Sequence, residues 1–172
     1  MCAAHDHLEV RQWVSDITYV ATAERWLYVC VVLDLYARRV VGWSMSSSLG
    51  AELELKAFVM AFMRRGPPTT MLFRSDRGVQ YTSHAFRRVL QSHRMRQSMS
   101  RSGNCYDNAC AETVFKTLKT ELTDRMFYRT RQEARAVIFE YIETFYNRVR
   151  LHLAIGYVPP CEYEATVVQE AA

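Results

Sequence analysis

The sequence predicts a single α/β domain with element order βββαβαβαα. Three observations predict it. Three β-rich segments follow one another within the first 46 residues; helical and strand-like patterns alternate from residue 51 onward; and no linker, repeat or low-complexity stretch divides the 172 residues. Apolar residues make up 49% of the chain and charged residues 23%, enough to build one core and too ordinary for a disordered chain. The expected layout is a lead over 1–12, a core over 13–164 and a tail over 165–172.

WVSDITYV (13–20) alternates with period two and puts Val14, Asp16, Thr18 and Val20 on one face. Ala21 to Arg25 reads as a turn. WLYVCVVLDL (26–35) is almost continuously apolar, as in a central strand buried on both faces. RVVGWSMS (39–46) adds a third strand and makes an antiparallel meander. AELELKAFVMAFMRR (51–65) has helical composition and stops at Gly66-Pro67-Pro68. TMLFRS (70–75) is a fourth strand. Ser83 caps a helix reaching about His93, with Phe86, Val89, Leu90 and His93 inside. MRQSMS (95–100) is a fifth strand, and RSGNCY (101–106) a loop. Asp107 caps a helix to about Asp124. Thr130 to Glu133 forms a capping box. It opens a helix whose Ala134, Val137, Ile138, Tyr141, Ile142 and Phe145 make one apolar stripe. GYVPP (156–160) closes the ordered part.

Charge is unevenly spread. Residues 61–131 hold 14 Lys/Arg against 5 Asp/Glu, whereas the two ends are mildly acidic. A basic block of this kind suits a polyanion, with nucleic acid first in line, or is a solvated face. The longest uninterrupted apolar run, Trp26 to Leu33, is too short to span a membrane, and MCAAHDHLEVRQ contains no apolar signal region. Five scattered cysteines without a Cys-x-x-Cys pair fit reduced thiols in a cytoplasmic protein.

Three carboxylates stand out. Asp16 sits inside a strand, where Asp is disfavoured. Asp76 opens the turn SDRGVQY just after a strand, and Glu112 shares a helix side with Asn108, Lys116, Lys119 and Thr123. Each has an ordinary explanation: a paired buried Asp, turn chemistry, an i, i+4 pair with Lys116. If the first and fourth strands are neighbours and the helix packs beside them, all three converge. Such a cluster repels itself and needs cations. Hard oxygen ligands and a phosphate-seeking rim favour Mg²⁺ or Mn²⁺, and two such ions suit displacement at phosphorus.

Asp76 and Glu112 are separated by 35 residues, with Lys119 seven further on. This resembles the Asp-Asp-35-Glu signature of retroviral integrases and insertion-sequence transposases. WVSDITYV, YVCVVLDLYARRVVGW, SDRGVQY, SMSRSGNCYDNACAET, LKTEL, FYNRVRLH and GYVPP resemble the transposase branch more closely. The resemblance runs from about Trp13 to Glu164. It implies an RNase H-like fold, the retroviral integrase catalytic core, with a mixed five-stranded sheet and flanking helices. It implies a polynucleotidyl transferase that cuts and joins DNA in transposition. Asp16, Asp76 and Glu112 become the catalytic, metal-binding triad for two Mg²⁺ or Mn²⁺ ions. Lys119 becomes a phosphate contact, with Lys116, Arg77 and Asn108 as further DNA-contacting groups. The partners implied are element ends and target DNA, further copies of the chain on DNA, and a helix-turn-helix segment upstream or on a partner chain; no membrane is implied. The alternatives are a catalytically silent DNA-binding or assembly remnant and a simple metal-dependent nuclease. Arg74 departs from the family's usual His before SDRG. Asp34 reads as structural, paired with Arg38 or Arg39. Asn147, Arg150 and His152 share the family motif without an assigned role.

Overall fold

A computed structural model of the chain describes residues 11–66, 71–75, 83–99, 109–123 and 126–170. Strands β1 (Arg11–Thr22), β2 (Arg25–Asp34) and β3 (Arg39–Ser46) form the expected meander. Helix α1 (Ala51–Arg65), β4 (Met71–Ser75), α2 (His84–Ser92) and β5 (Met95–Met99) follow. Helices α3 (Ala109–Glu121), α4 (Arg131–Glu140) and α5 (Pro160–Glu170) complete the chain. The sheet order is β3-β2-β1-β4-β5. β1 pairs antiparallel with β2 and parallel with β4, so the sheet is mixed and β1 lies at its centre.

Strand alternation divides the core in two. Val14 and Val20 of β1, with Val29, Val31 and Leu33 of β2, meet Val114, Phe115 and Leu118 of α3 and Ala134 and Ile138 of α4. On the opposite face Trp13, Cys30 and Val32 meet Phe58 of α1 and Phe86 and Leu90 of α2. Phe58 packs edge-on to both Phe73 and Phe86. The approach of α1 to β3 depends on Gly42: a Cβ there would lie 2.1 Å from the Ala57 carbonyl oxygen.

The expected caps form. Ser83 Oγ accepts from Phe86 N at 3.2 Å, and Thr130 Oγ1 accepts from Glu133 N at 3.1 Å. Glu133 reaches back to the N–H of Arg129 rather than Thr130. Asp107 and the segment 101–106 lie outside the described residues.

Four expectations are corrected or extended. The β1–β2 turn is tighter than Ala21 to Arg25: only Ala23 and Glu24 lie between the strands. Arg25 takes φ 90°, and Thr22 Oγ1 accepts from Glu24 N. The helix from Thr130 changes to π geometry over Tyr141–Tyr146, with Asn147 N bonded to Ile142 O. This wider turn rotates Phe145 off the apolar stripe, leaving it 40% exposed. Asp34 is structural, as expected, and Arg65 joins its partners: it accepts from Tyr36 N and pairs with Arg65 at 3.5 Å, because α1 ends over the β2 terminus, while Arg39 pairs with Glu164. GYVPP does not close the ordered part, since Pro160 begins α5, a position where its missing N–H costs nothing.

Candidate active site

The ladder between β1 and β4 ends at Ser15–Ser75. Asp16 is therefore the first residue of β1 past the end of that ladder, on the sheet face covered by α3. It is partly buried, and its Oδ1 accepts from Ile17 N at 2.8 Å. Helix α3 lays Val114, Phe115 and Leu118 against this face. The same helical phase directs Glu112, Lys116 and Lys119 along its open side.

These two elements enclose an open cleft of about 380 Å³ lined by Asp16, Ile17, Thr18, Glu112, Phe115, Lys116, Lys119 and Thr120. Four side chains singled out in the sequence thus meet in one place: two carboxylates and two ammonium groups. Asp76, Arg77 and Asn108 lie outside the described residues. Ser75, the last residue of β4, has Ser15 as its ladder partner, and Ser15 precedes Asp16. Arg74 pairs in register with Val14, on the sheet face that also carries Asp16. Among the described residues no group of three or more His, Cys, Asp or Glu side chains is assembled to hold a metal ion.

Sequence reasoning missed Tyr19. Alternation sends it to the face opposite Asp16, yet Lys119 Nζ lies 5.1 Å from its ring centroid, within cation–π range. The signal available was an aromatic residue three positions after the strand carboxylate. Thr18 and Thr120, also in the cleft, carried no signal of their own.

The motif FYNRVRLH is tied to the β3 edge and to the end of α3. Asn147 Nδ2 donates to Val40 O and its Oδ1 accepts from Val40 N, both at 3.0 Å and both buried. The side chain thereby replaces a neighbouring strand along the β3 edge. Arg150 Nε donates to Glu121 at the end of α3, at 3.1 Å, and Tyr141 Oη donates to the same carboxylate at 2.6 Å. Burial, followed by this bond, raises the Tyr141 pKa. Burial and the neighbouring Arg150 push the His152 imidazole down to about 4, so it is neutral at pH 7. Arg150, His152, Thr113 and Thr117 help to line a second cavity of about 520 Å³.

Two matches to the integrase core domain model cover residues 6–105 and 112–167, most of the chain. The chain belongs to the integrase core domain family. Among similar proteins, transposase InsF of insertion sequence IS3A from Escherichia coli K12 is 44% identical over 154 residues, covering 90% of this chain and 54% of that protein. An uncharacterized 31 kDa protein of insertion element IS600 from Shigella sonnei is 42% identical over 160 residues, covering 93% and 59%. The integrase core described here therefore spans little more than half the length of the curated relatives it matches. In three dimensions it is similar to the HTLV-2 integrase catalytic core domain in complex with magnesium. That match has a TM-score of 0.70 and 16% identity, and covers 91% of this chain and 97% of that one. It is also similar to a chain of a simian T-cell lymphotropic virus intasome, with a TM-score of 0.71, 16% identity and coverage of 91% and 54%. The fold is that of a retroviral integrase catalytic core, RNase H-like, as the sequence led us to expect.

Proposed function

We propose that this integrase core is the catalytic domain of an insertion-sequence transposase, a polynucleotidyl transferase that cuts and joins DNA at the ends of a mobile element. The observation that carries the reading is the meeting of Asp16 and Glu112, from a central strand and a separate helix, in one cleft with Lys116 and Lys119. The similar InsF proteins are transposases of insertion sequences, which supports the same substrate.

Asp16, Glu112 and Asp76 would hold divalent cations, two in number, as Mg²⁺ or Mn²⁺. Carboxylate oxygens are the hard donors these ions prefer. Bound there, the ions would stabilise charge on the phosphoryl oxygens and on the attacking and leaving oxygens. The chain's own residues position the DNA. Lys119 and Lys116 neutralise non-bridging phosphate oxygens beside the carboxylates, and Arg77 and Asn108 extend that contact. A water or a 3′-hydroxyl oxygen attacks phosphorus in line, a new P–O bond forms, and the bond to the departing oxygen breaks. Phe115, a core residue, supplies apolar lining to the cleft. The protein acts on DNA in the cytoplasm, as assembled copies, with end recognition supplied by a helix-turn-helix segment upstream or on a partner chain. Among the described residues no helix is long and apolar enough to cross a membrane.

The test is nicking of an end-labelled DNA duplex by the purified chain with Mg²⁺, Mn²⁺, Ca²⁺ or EDTA. Cleavage with the first two and not the last two is expected. Cleavage undiminished in EDTA overturns the metal assignment. No cleavage of any duplex, with or without a fused or added helix-turn-helix segment, overturns the enzymatic reading.

A further inference from the structure

Tyr19 and Trp26 form an exposed aromatic pair near the turn of the β1–β2 hairpin. Their ring centroids are 4.8 Å apart in a T-shaped arrangement. Tyr19 is 54% exposed and Trp26 47%, on the same sheet face as the buried Trp13. Further along that face Ile17 and Tyr28 pack on the second core cluster. The aromatic pair lies past them and is left wet, an arrangement more common in binding surfaces than in cores.

The pair is physically continuous with the candidate active site through one residue. Lys119 lines the cleft that contains Asp16 and Glu112, and its Nζ sits over the Tyr19 ring. The ammonium thus reaches across the β1 edge and joins the carboxylate cleft on one face to the aromatic pair on the other. A cation flanked by exposed rings matches the chemistry of a nucleotide, which has an anionic phosphate and a flat base. Bases in a duplex are stacked on one another and hide their faces. Only an unpaired base can offer its face to Tyr19 or Trp26.

We propose that Tyr19, Trp26 and Lys119 form a stacking platform for an unpaired nucleotide of the DNA strand that passes the carboxylate cleft. Lys119 holds a phosphate while the adjoining base stacks on the aromatic pair. The platform takes any base, because every base has a π-face. It rests on the DNA reading above for its ligand, but not on metal binding or catalysis.

The experiment measures binding of a fluorescein-labelled oligothymidylate and of a labelled duplex to the full chain, in EDTA at fixed low salt. Tyr19→Ala and Trp26→Ala are each expected to weaken oligothymidylate binding by ~5–100-fold, with duplex binding little changed. Tyr19→Phe, which keeps the ring, retains binding. Both residues are exposed, so the variants fold, as thermal melts in EDTA verify. Asp16→Asn, which should abolish cleavage, leaves oligothymidylate binding intact. Failure of the catalytic reading is thereby separated from failure of the platform. Equal weakening of single-stranded and duplex binding, or no change in the Tyr19→Ala/Trp26→Ala double variant, overturns the proposal. A double variant that binds oligothymidylate normally but sediments as a smaller species assigns the patch to contact between copies of the chain, and also overturns it.

Discussion

Asp16 and Glu112 share an open cleft and, with Asp76, would hold the divalent cations that the proposed cutting step needs. Asp16→Asn, Asp76→Asn and Glu112→Gln are therefore expected to reduce metal-dependent nicking by more than ~100-fold. In EDTA their melting temperatures should equal or slightly exceed that of the parent. Full nicking by all three removes the triad, and unfolding of all three makes the carboxylates structural. On the proposed reading Lys119 would act on phosphate, not on sequence. Lys119→Ala should weaken binding to unrelated duplexes alike and lower the log–log salt slope by about one; an unchanged slope counts against it. His152 carries a different consequence. Its folded pKa is about 4, below the usual value for histidine, so the unfolded chain binds the proton more readily. Its contribution is complete above pH ~6.5 and disappears as pH falls toward 4, because stability rises with pH wherever the unfolded state holds more protons. Discounted for partial solvent screening, the change is roughly 1–2 kcal/mol. Denaturant melts of parent and His152→Gln between pH 4 and 7 should show that extra dependence in the parent alone.

At the scale of elements, β3 is an edge strand whose Val40 backbone is closed by the Asn147 side chain. Asn147 O also accepts from Cys161 N at 2.9 Å, so one residue ties β3, the end of the π-helical segment and α5 together. Asn147→Ala leaves a buried N–H and a buried C=O without their partner and should cost about 2–4 kcal/mol in chemical denaturation. A loss below ~0.5 kcal/mol would mean that water replaces the amide. The strands and helix limits were legible because each carries a local signature: two-residue alternation in β1, the Gly-Pro-Pro stop after α1, and caps at Ser83 and Thr130. The π turn and α5 were not. A π turn depends on packing rather than composition, and Pro160 reads equally as a breaker or as a first helical residue.

For the whole molecule, the sheet order brings Asp16 beside the end of β4 and α3 across the same face. Helix α3 is committed to the core on one side and to the cleft on the other, and α4 packs on the sheet through Ala134 and Ile138. The exposed side of α4 carries Gln132, Glu133, Ala136, Phe139 and Glu140, with no cation to bring it against a groove. This chain by itself should bind DNA through phosphates, with a dissociation constant of ~10⁻⁴–10⁻⁶ M at physiological salt and little sequence preference. A competition assay between element ends and scrambled duplexes at fixed salt checks it; a preference of about a hundredfold or more for the ends refutes it.

The sequence by itself determined the α/β class, the five strands, the polar side of α3 and the identity of the chemically loaded residues. Each of these depends on side-chain type at short range. Only the tertiary structure decided that β1 lies between β2 and β4, which puts Asp16 in one cleft with Glu112. It also decided that Asp34 pairs with Arg65, that Asn147 closes the β3 edge, and that Lys119 reaches Tyr19. These contacts join residues 31 to 107 positions apart, or 100 in the case of Lys119 and Tyr19. No local pattern encodes them, because they arise only when burial of two separate apolar faces fixes how strands and helices lie against one another.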